Sequence, residues 1–207
     1  MDPTVPAGPA PAGSAYPVTY EVDDPGPIDR WRPFVQWFLA IPHLVVLYVL
    51  GIVSNVLAFV SWFAIIFTGK LPEALAGWQF LYLRYTNRTY AYADFLREEY
   101  PPFTFEMLAD DPGDYPGVQT EVAPEYEDRN RLTVAFRFIL VIPHVVCLLF
   151  LGLAAWVAMI IGAFAILFTG SWPEGLRTFV VGVWRWSTRV NGYHLLLVDE
   201  YPPFSLE

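Results

Sequence analysis

One cysteine, one lysine and three histidines are all that 207 residues offer of three chemically versatile side chains. A single thiol, Cys147, excludes an internal disulfide framework and a cysteine-rich metal site. Charge is scarce too. Asp, Glu, Lys and Arg make up 16% of the chain, against about a quarter in a soluble domain, which argues against an ordinary cytosolic globule. The net charge of −9 argues against nucleic acid as the main partner, because a phosphate backbone would be repelled. Two stretches carry no formal charge at all. One is the 37 residues between Arg32 and Lys70, the other the 36 between Arg137 and Glu174. A membrane-crossing helix needs about 20 apolar residues, so this pattern predicts an integral membrane protein. Neither stretch holds a carboxylate, so a proton relay or an acid–base pair inside them is excluded. No Gly-rich phosphate loop, nucleophile elbow or HExxH sequence occurs, and no enzymatic activity is expected.

What the chain does have is an internal repeat. A shift of 101 aligns Ile41-Pro42-His43 with Ile142-Pro143-His144, and Phe67-Thr68-Gly69 with Phe168-Thr169-Gly170. The same shift aligns Arg84 and Arg88 with Arg185 and Arg189, and Tyr100-Pro101-Pro102-Phe103 with Tyr201-Pro202-Pro203-Phe204. Residues 28–103 and 129–204 share 28 identities over 76 positions without a gap. The organisation read from this is a disordered Pro/Ala-rich tail (1–16), a first repeat (17–105), an acidic connector (106–116) and a second repeat (117–207). Alternating Val18-Thr19-Tyr20-Glu21-Val22 and Val118-Gln119-Thr120-Glu121-Val122 predict strands. They are expected to pair with the extended ends 102–106 and 203–206 in a small cytoplasmic sheet.

Each uncharged stretch is long for one crossing and short for two. With one crossing, two closely similar repeats would face opposite ways despite near-identical flanks. With a tight hairpin turning near Gly51 and Gly152, both keep one orientation and all basic residues lie on one side, as the positive-inside rule asks. The expected fold is therefore an all-α membrane protein with four crossings, spans at about 32–68 and 132–169, and both termini cytoplasmic. An amphipathic interfacial helix follows each span, at about 72–96 and 173–197. Its start is marked by Pro72-Glu73 and Pro173-Glu174.

The candidate sites are the polar residues in this apolar setting. His43 and His144, placed near the bilayer midplane by the hairpin, are candidates for opposed axial ligands of a haem or for a pigment. The alternative is that each neutral ring fastens a kink at the preceding proline. Arg84 and Arg88, and Arg177, Arg185 and Arg189, each form a helical stripe suited to anionic lipid headgroups or an acidic partner surface. Ordinary snorkelling explains the same stripe.

The Ile-Pro-His, Phe-Thr-Gly and Tyr-Pro-Pro-Phe segments, with Trp184-Arg185-Trp186 leading into Ser187-Thr188-Arg189-Val190, resemble the bacterial family called domain of unknown function 4389. The second repeat fits best, and the first departs at Tyr82-Leu83-Arg84-Tyr85. The resemblance implies a bacterial membrane protein and transfers no activity or site residue. The expected function is a non-enzymatic accessory or scaffold subunit of a larger membrane complex in the bacterial plasma membrane. Its expected contacts are lipid and other membrane subunits or further copies of itself. No metal or cofactor is expected, a bound haem or pigment being the alternative.

Overall fold

The computed structural model describes residues 16–207, so the tail expected to be disordered lies outside the described residues except for Tyr16. That residue is buried and its hydroxyl donates to the Glu200 carbonyl at 3.0 Å. The elements are β1 (Val18–Val22), α1 (Arg32–Thr68), α2 (Glu73–Ala93), β2 (Val118–Val122), α3 (Arg131–Ala135), α4 (Arg137–Thr169) and α5 (Glu174–His194).

The expected break near Gly51 and Gly152 does not occur. α1 and α4 are each one continuous helix of 37 and 33 residues. A turn in so apolar a stretch would strip backbone amides and carbonyls of partners with nothing nearby to replace them. Neither Gly51 nor Gly152 takes the left-handed conformation a turn would use. The chain reverses later, at Gly69 and Gly170, where φ is 75° and 78° and the amides close on the Ile65 and Ile166 carbonyls. Pro72 and Pro173, extended, then start α2 and α5. The hairpins are therefore α1–α2 and α4–α5, one crossing-length helix in each rather than two.

Each long helix packs by a narrow stripe. In α1 the buried positions are Gln36, Ala40, His43, Leu47, Leu50, Ser54, Ala58, Ser61 and Ile65, at helical spacing of three and four along the whole length. The remaining faces are apolar and exposed, from Phe34 to Phe67 in α1 and from Phe138 to Phe168 in α4. α2 and α5 lie behind the stripes and are largely buried.

The strands form where expected but pair differently. β1 and β2 pair antiparallel with each other, Val18 opposite Val122 and Val22 opposite Val118, while 102–106 and 203–206 form no strand. Two equivalent strands meeting in this register place a pseudo-two-fold axis at the Tyr20–Thr120 pair. Backbone bonds exchanged between the repeats obey it. The Ile28 amide donates to the Gly170 carbonyl, and its counterpart Arg129 to Gly69. On the same axis Thr188 donates to its own equivalent, Asn87, at 3.0 Å. The sheet packs on α2 and α5, its buried face Val18, Tyr20, Val22, Val118, Thr120 and Val122, and turns Glu21 and Glu121 outward. The molecule is thus layered, with α1 and α4 first, α2 and α5 behind them, and the sheet and acidic connector last.

The close approach that this layering requires is sharpest at Gly162, where a β-carbon would stand 2.1 Å from the Trp172 ring, while Gly152 has open space around it. We expect Gly162→Ala to cost about 1–3 kcal/mol through overpacking and to lower the melting temperature in mild detergent. Gly152→Ala should leave it unchanged or raise it, since alanine is the better helix former.

Candidate functional site

The structure brings each predicted histidine into an aromatic cluster of its own repeat. His43 Nδ1 lies 2.7 Å from the Tyr85 hydroxyl, with the Phe103 ring stacked at 4.0 Å and Tyr100 edge-on. His144 Nδ1 accepts from Trp186 Nε1 at 3.0 Å, with Phe204 stacked at 4.0 Å and Tyr201 at 4.8 Å. Both rings are fully buried, and the two clusters share no residue. An indole N–H only donates, so His144 Nδ1 is unprotonated and Nε2 carries the hydrogen. A histidine bound to iron through Nε2 needs the opposite arrangement, with Nδ1–H donating. The Tyr-Pro-Pro-Phe segments are therefore clasps that fold back onto the histidines. Among the described residues no group of three His, Cys, Asp or Glu is placed to hold a metal.

The arginine stripes are turned inward. Arg84 donates to the Ala109 carbonyl at 2.6 Å and lies 3.9 Å from Asp111, and Arg88 reaches Asp114 at 2.9 Å. Arg177 and Arg185 bind the backbone of β1 and its exit, Arg185 with Glu21 at 2.5 Å, and Arg189 donates to the Ser205 carbonyl. These side chains fasten the connector, β1 and the C-terminal segment to α2 and α5. The connector is accordingly anchored rather than freely solvated.

Residues that sequence reasoning passed over make the deepest contacts. Gln36 Nε2 donates to the Tyr92 and Arg97 carbonyls at 2.6 and 2.7 Å, and its counterpart Arg137 donates to Tyr193 and Val198, both at 2.7 Å. These bonds hold the exits of α2 and α5, where Phe95 and Leu196 take positive φ of 59° and 64°. Arg137 and Arg129 also share Asp199, at 2.5 and 2.6 Å. Neutralising Asp199 with Asn should strand two buried guanidinium groups and destabilise the fold by about 3 kcal/mol or more. The equivalent Glu98→Gln, whose one cationic partner is the part-exposed Arg32 at 3.6 Å, should cost well under half of that by thermal or denaturant melting.

One more polar group faces an apolar cavity. Asp94, at the end of α2, accepts from Trp184 Nε1 at 2.7 Å, and Tyr90 stacks on Trp184 at 4.5 Å. The carboxyl forms part of a groove of about 360 Å³ with Trp37, Ala40, Ile41 and Leu44 of α1 and Met159 of α4. A second cavity of about 350 Å³, along α4 and α5, adjoins it at Tyr90, Asp94 and Met159. The repeat equivalents of Asp94 and Trp184 are Leu195 and Leu83, ordinary buried core residues. That departure from the repeat pattern, together with Asp94 being the lone acid from 74 to 97, is the signal that could have found the site.

Burial raises the Asp94 carboxyl to about 7, which the indole hydrogen bond opposes only in part. A folded-state pKa above the unfolded value means that the native state holds a proton the unfolded chain has lost, so the associated stability is full below about pH 4 and fades as pH rises through 7. Asp94→Asn should therefore raise the melting temperature at pH 8 and leave it nearly unchanged at pH 4, as a pH series of thermal melts would record.

Comparison with known proteins places the repeats in a family. The model described as "Domain of unknown function (DUF4389)" matches residues 30–104 and again 131–205. No curated protein and no solved structure matches the chain. The two matches cover most of the sequence, coincide with the two α-hairpins and their clasps, and the chain belongs to the DUF4389 family as a tandem pair.

Proposed function

We propose that this chain is a non-enzymatic accessory or scaffold subunit of a bacterial plasma-membrane assembly, embedded in one leaflet with α1 and α4 lying in the membrane plane. The observation that carries this reading is the geometry of the apolar surface. Both long helices are long and apolar enough to cross a membrane, yet exposed apolar side chains run from Phe34 to Phe67. At 1.5 Å per residue that face is about 50 Å long, against about 30 Å of hydrocarbon in a bilayer.

The layering points the same way. α1 and α4 run antiparallel, since Trp62 donates to the Val134 carbonyl at one end and Ile28 to the Gly170 carbonyl at the other. If both helices crossed upright, the pseudo-two-fold axis would lie in the membrane plane, and the sheet would sit beside the helices at bilayer depth. Glu21, Glu121, Asp111 and Asp114 would then be drawn into hydrocarbon at a cost of several kcal/mol each. With the helices in the plane, the axis stands along the membrane normal. The apolar layer then meets the lipid, and the acidic sheet and connector meet water. The aqueous surface, with Asp23, Asp24, Glu106, Asp110, Glu127 and Asp128 exposed around it, suits a basic partner subunit. Arg30 and Arg131, exposed at equivalent positions beside the long helices, are the cations best placed for anionic headgroups.

Single-cysteine variants on a Cys147→Ser background test this arrangement. Asp29→Cys and Thr68→Cys, at the two ends of α1, should react with a membrane-impermeant maleimide from the same side of sealed vesicles, and Glu21→Cys from that side as well. Tyr48→Cys should stay unreactive from both sides. Labelling of positions 29 and 68 from opposite sides would overturn the in-plane reading.

A further inference from the structure

We propose that the groove at Asp94 binds one membrane amphiphile, its hydrocarbon chain lodged between α1 and α4 and its hydrogen-bond-donating head, a hydroxyl or an ammonium, received by the Asp94 carboxyl. The proposal rests on the in-plane reading for the route of entry, because the groove opens among α1 side chains that would then face lipid, Phe38 and Ile41 being 71% and 51% exposed. An occupant arriving from hydrocarbon must itself be largely apolar. The walls agree, since apart from Asp94 and the Tyr90 hydroxyl the groove is lined by apolar side chains. About 360 Å³ falls within the range of ligand pockets that fix orientation through a few polar groups.

The carboxyl selects the head. Asp94 Oδ2 is engaged by Trp184, while Oδ1 makes no hydrogen bond among the described residues. At pH 8, above the value near 7 to which burial raises it, the carboxyl is ionised and only accepts, so its complement is a donor, and a second carboxylate or a phosphate is repelled. The Trp184 bond, locked by the Tyr90 stack, fixes the direction in which the free oxygen points. At the symmetry-equivalent place Leu195 and Leu83 supply plain apolar packing. Replacing such a pair by an acid held against an apolar cavity sacrifices stability, and sites that break a local rule in this way are the ones expected to carry function.

Native mass spectrometry of the full chain at pH 8, released from mild detergent with equimolar dodecylamine, dodecanol, dodecanoate or dodecane, tests the site. The expected result is one retained equivalent of the amine or the alcohol, with retention of dodecanoate and dodecane at least tenfold lower. Amine without alcohol identifies an ion pair, and both together identify a neutral hydrogen bond. Asp94→Leu, which copies the other repeat, should reduce retention at least tenfold. Met159→Trp, which fills the groove and leaves the carboxyl in place, should do the same, so the test survives if either variant fails to fold. Equal retention by wild type and the variants, or preference for dodecanoate, would overturn the proposal. Because the measurement is made in micelles, a failure here is separate from a failure of the vesicle labelling, which bears on the in-plane reading alone.

Discussion

The fold hangs on a buried polar clamp at the start of each long helix. Gln36 in one repeat and Arg137 in the other each reach across to two carbonyls at the exit of the following helix, Tyr92 and Arg97 or Tyr193 and Val198. Tyr92 and Tyr193 keep only a short turn bond from Phe95 and Leu196, and Arg97 and Val198 lie just past the helix end, where the regular helical ladder no longer supplies donors. One side chain satisfying two such carbonyls fixes how far α2 and α5 run back along α1 and α4. It also fixes where Phe95 and Leu196 turn the chain out, in a backbone conformation that costs about 1 kcal/mol or more when unsupported. From that exit the Tyr-Pro-Pro-Phe segment returns to stack on His43 or His144. Helix pairing, exit turn and aromatic clasp are successive consequences of one contact.

A second constraint follows from duplication. A repeat that leaves a strand edge and a reversing turn unpaired finds its complement in the other repeat, and the pseudo-two-fold supplies both at once. β1 and β2 close each other's edge, and Ile28 and Arg129 each donate to the turn glycine of the opposite hairpin. Identical requirements on the two sides leave the axis residues free to differ only in compatible ways, as Asn87 and Thr188 do. Away from the axis the repeats have diverged more. The Ser54–Gln79 contact in the first repeat has Ala155 and Val180 in its place in the second. Asp94 and Trp184 stand where the other side of the axis has the buried Leu195 and Leu83. Such differences give two similar halves distinct interiors.

Periodicity, spacing and the internal shift were sufficient for the duplication, the strands near 18–22 and 118–122, the starts of α2 and α5 at Pro-Glu, and the two long apolar stretches. Each of these depends on local chemistry, whether the pleat, the cap, the proline or hydrophobic run length, and local chemistry is written residue by residue. The family resemblance rested on the same local motifs. What lay beyond reach was every question of which surface meets which. The turn expected near Gly51 was placed by counting residues against a bilayer, but the choice between a break and a continuous helix is decided by the unpaired backbone a break would leave. The arginines of α2 and α5 looked like a lipid-facing stripe because four-residue spacing gives a face and not its neighbour. Only the folded connector shows that Asp111 and Asp114 stand opposite Arg84 and Arg88. The strands were legible and their pairing was not, since an alternating pattern specifies a buried face and says nothing of the partner edge. Asp94 became a site only when α1, α2, α4 and α5 were brought around it, because the low dielectric that raises its pKa belongs to the assembled walls and to no single segment.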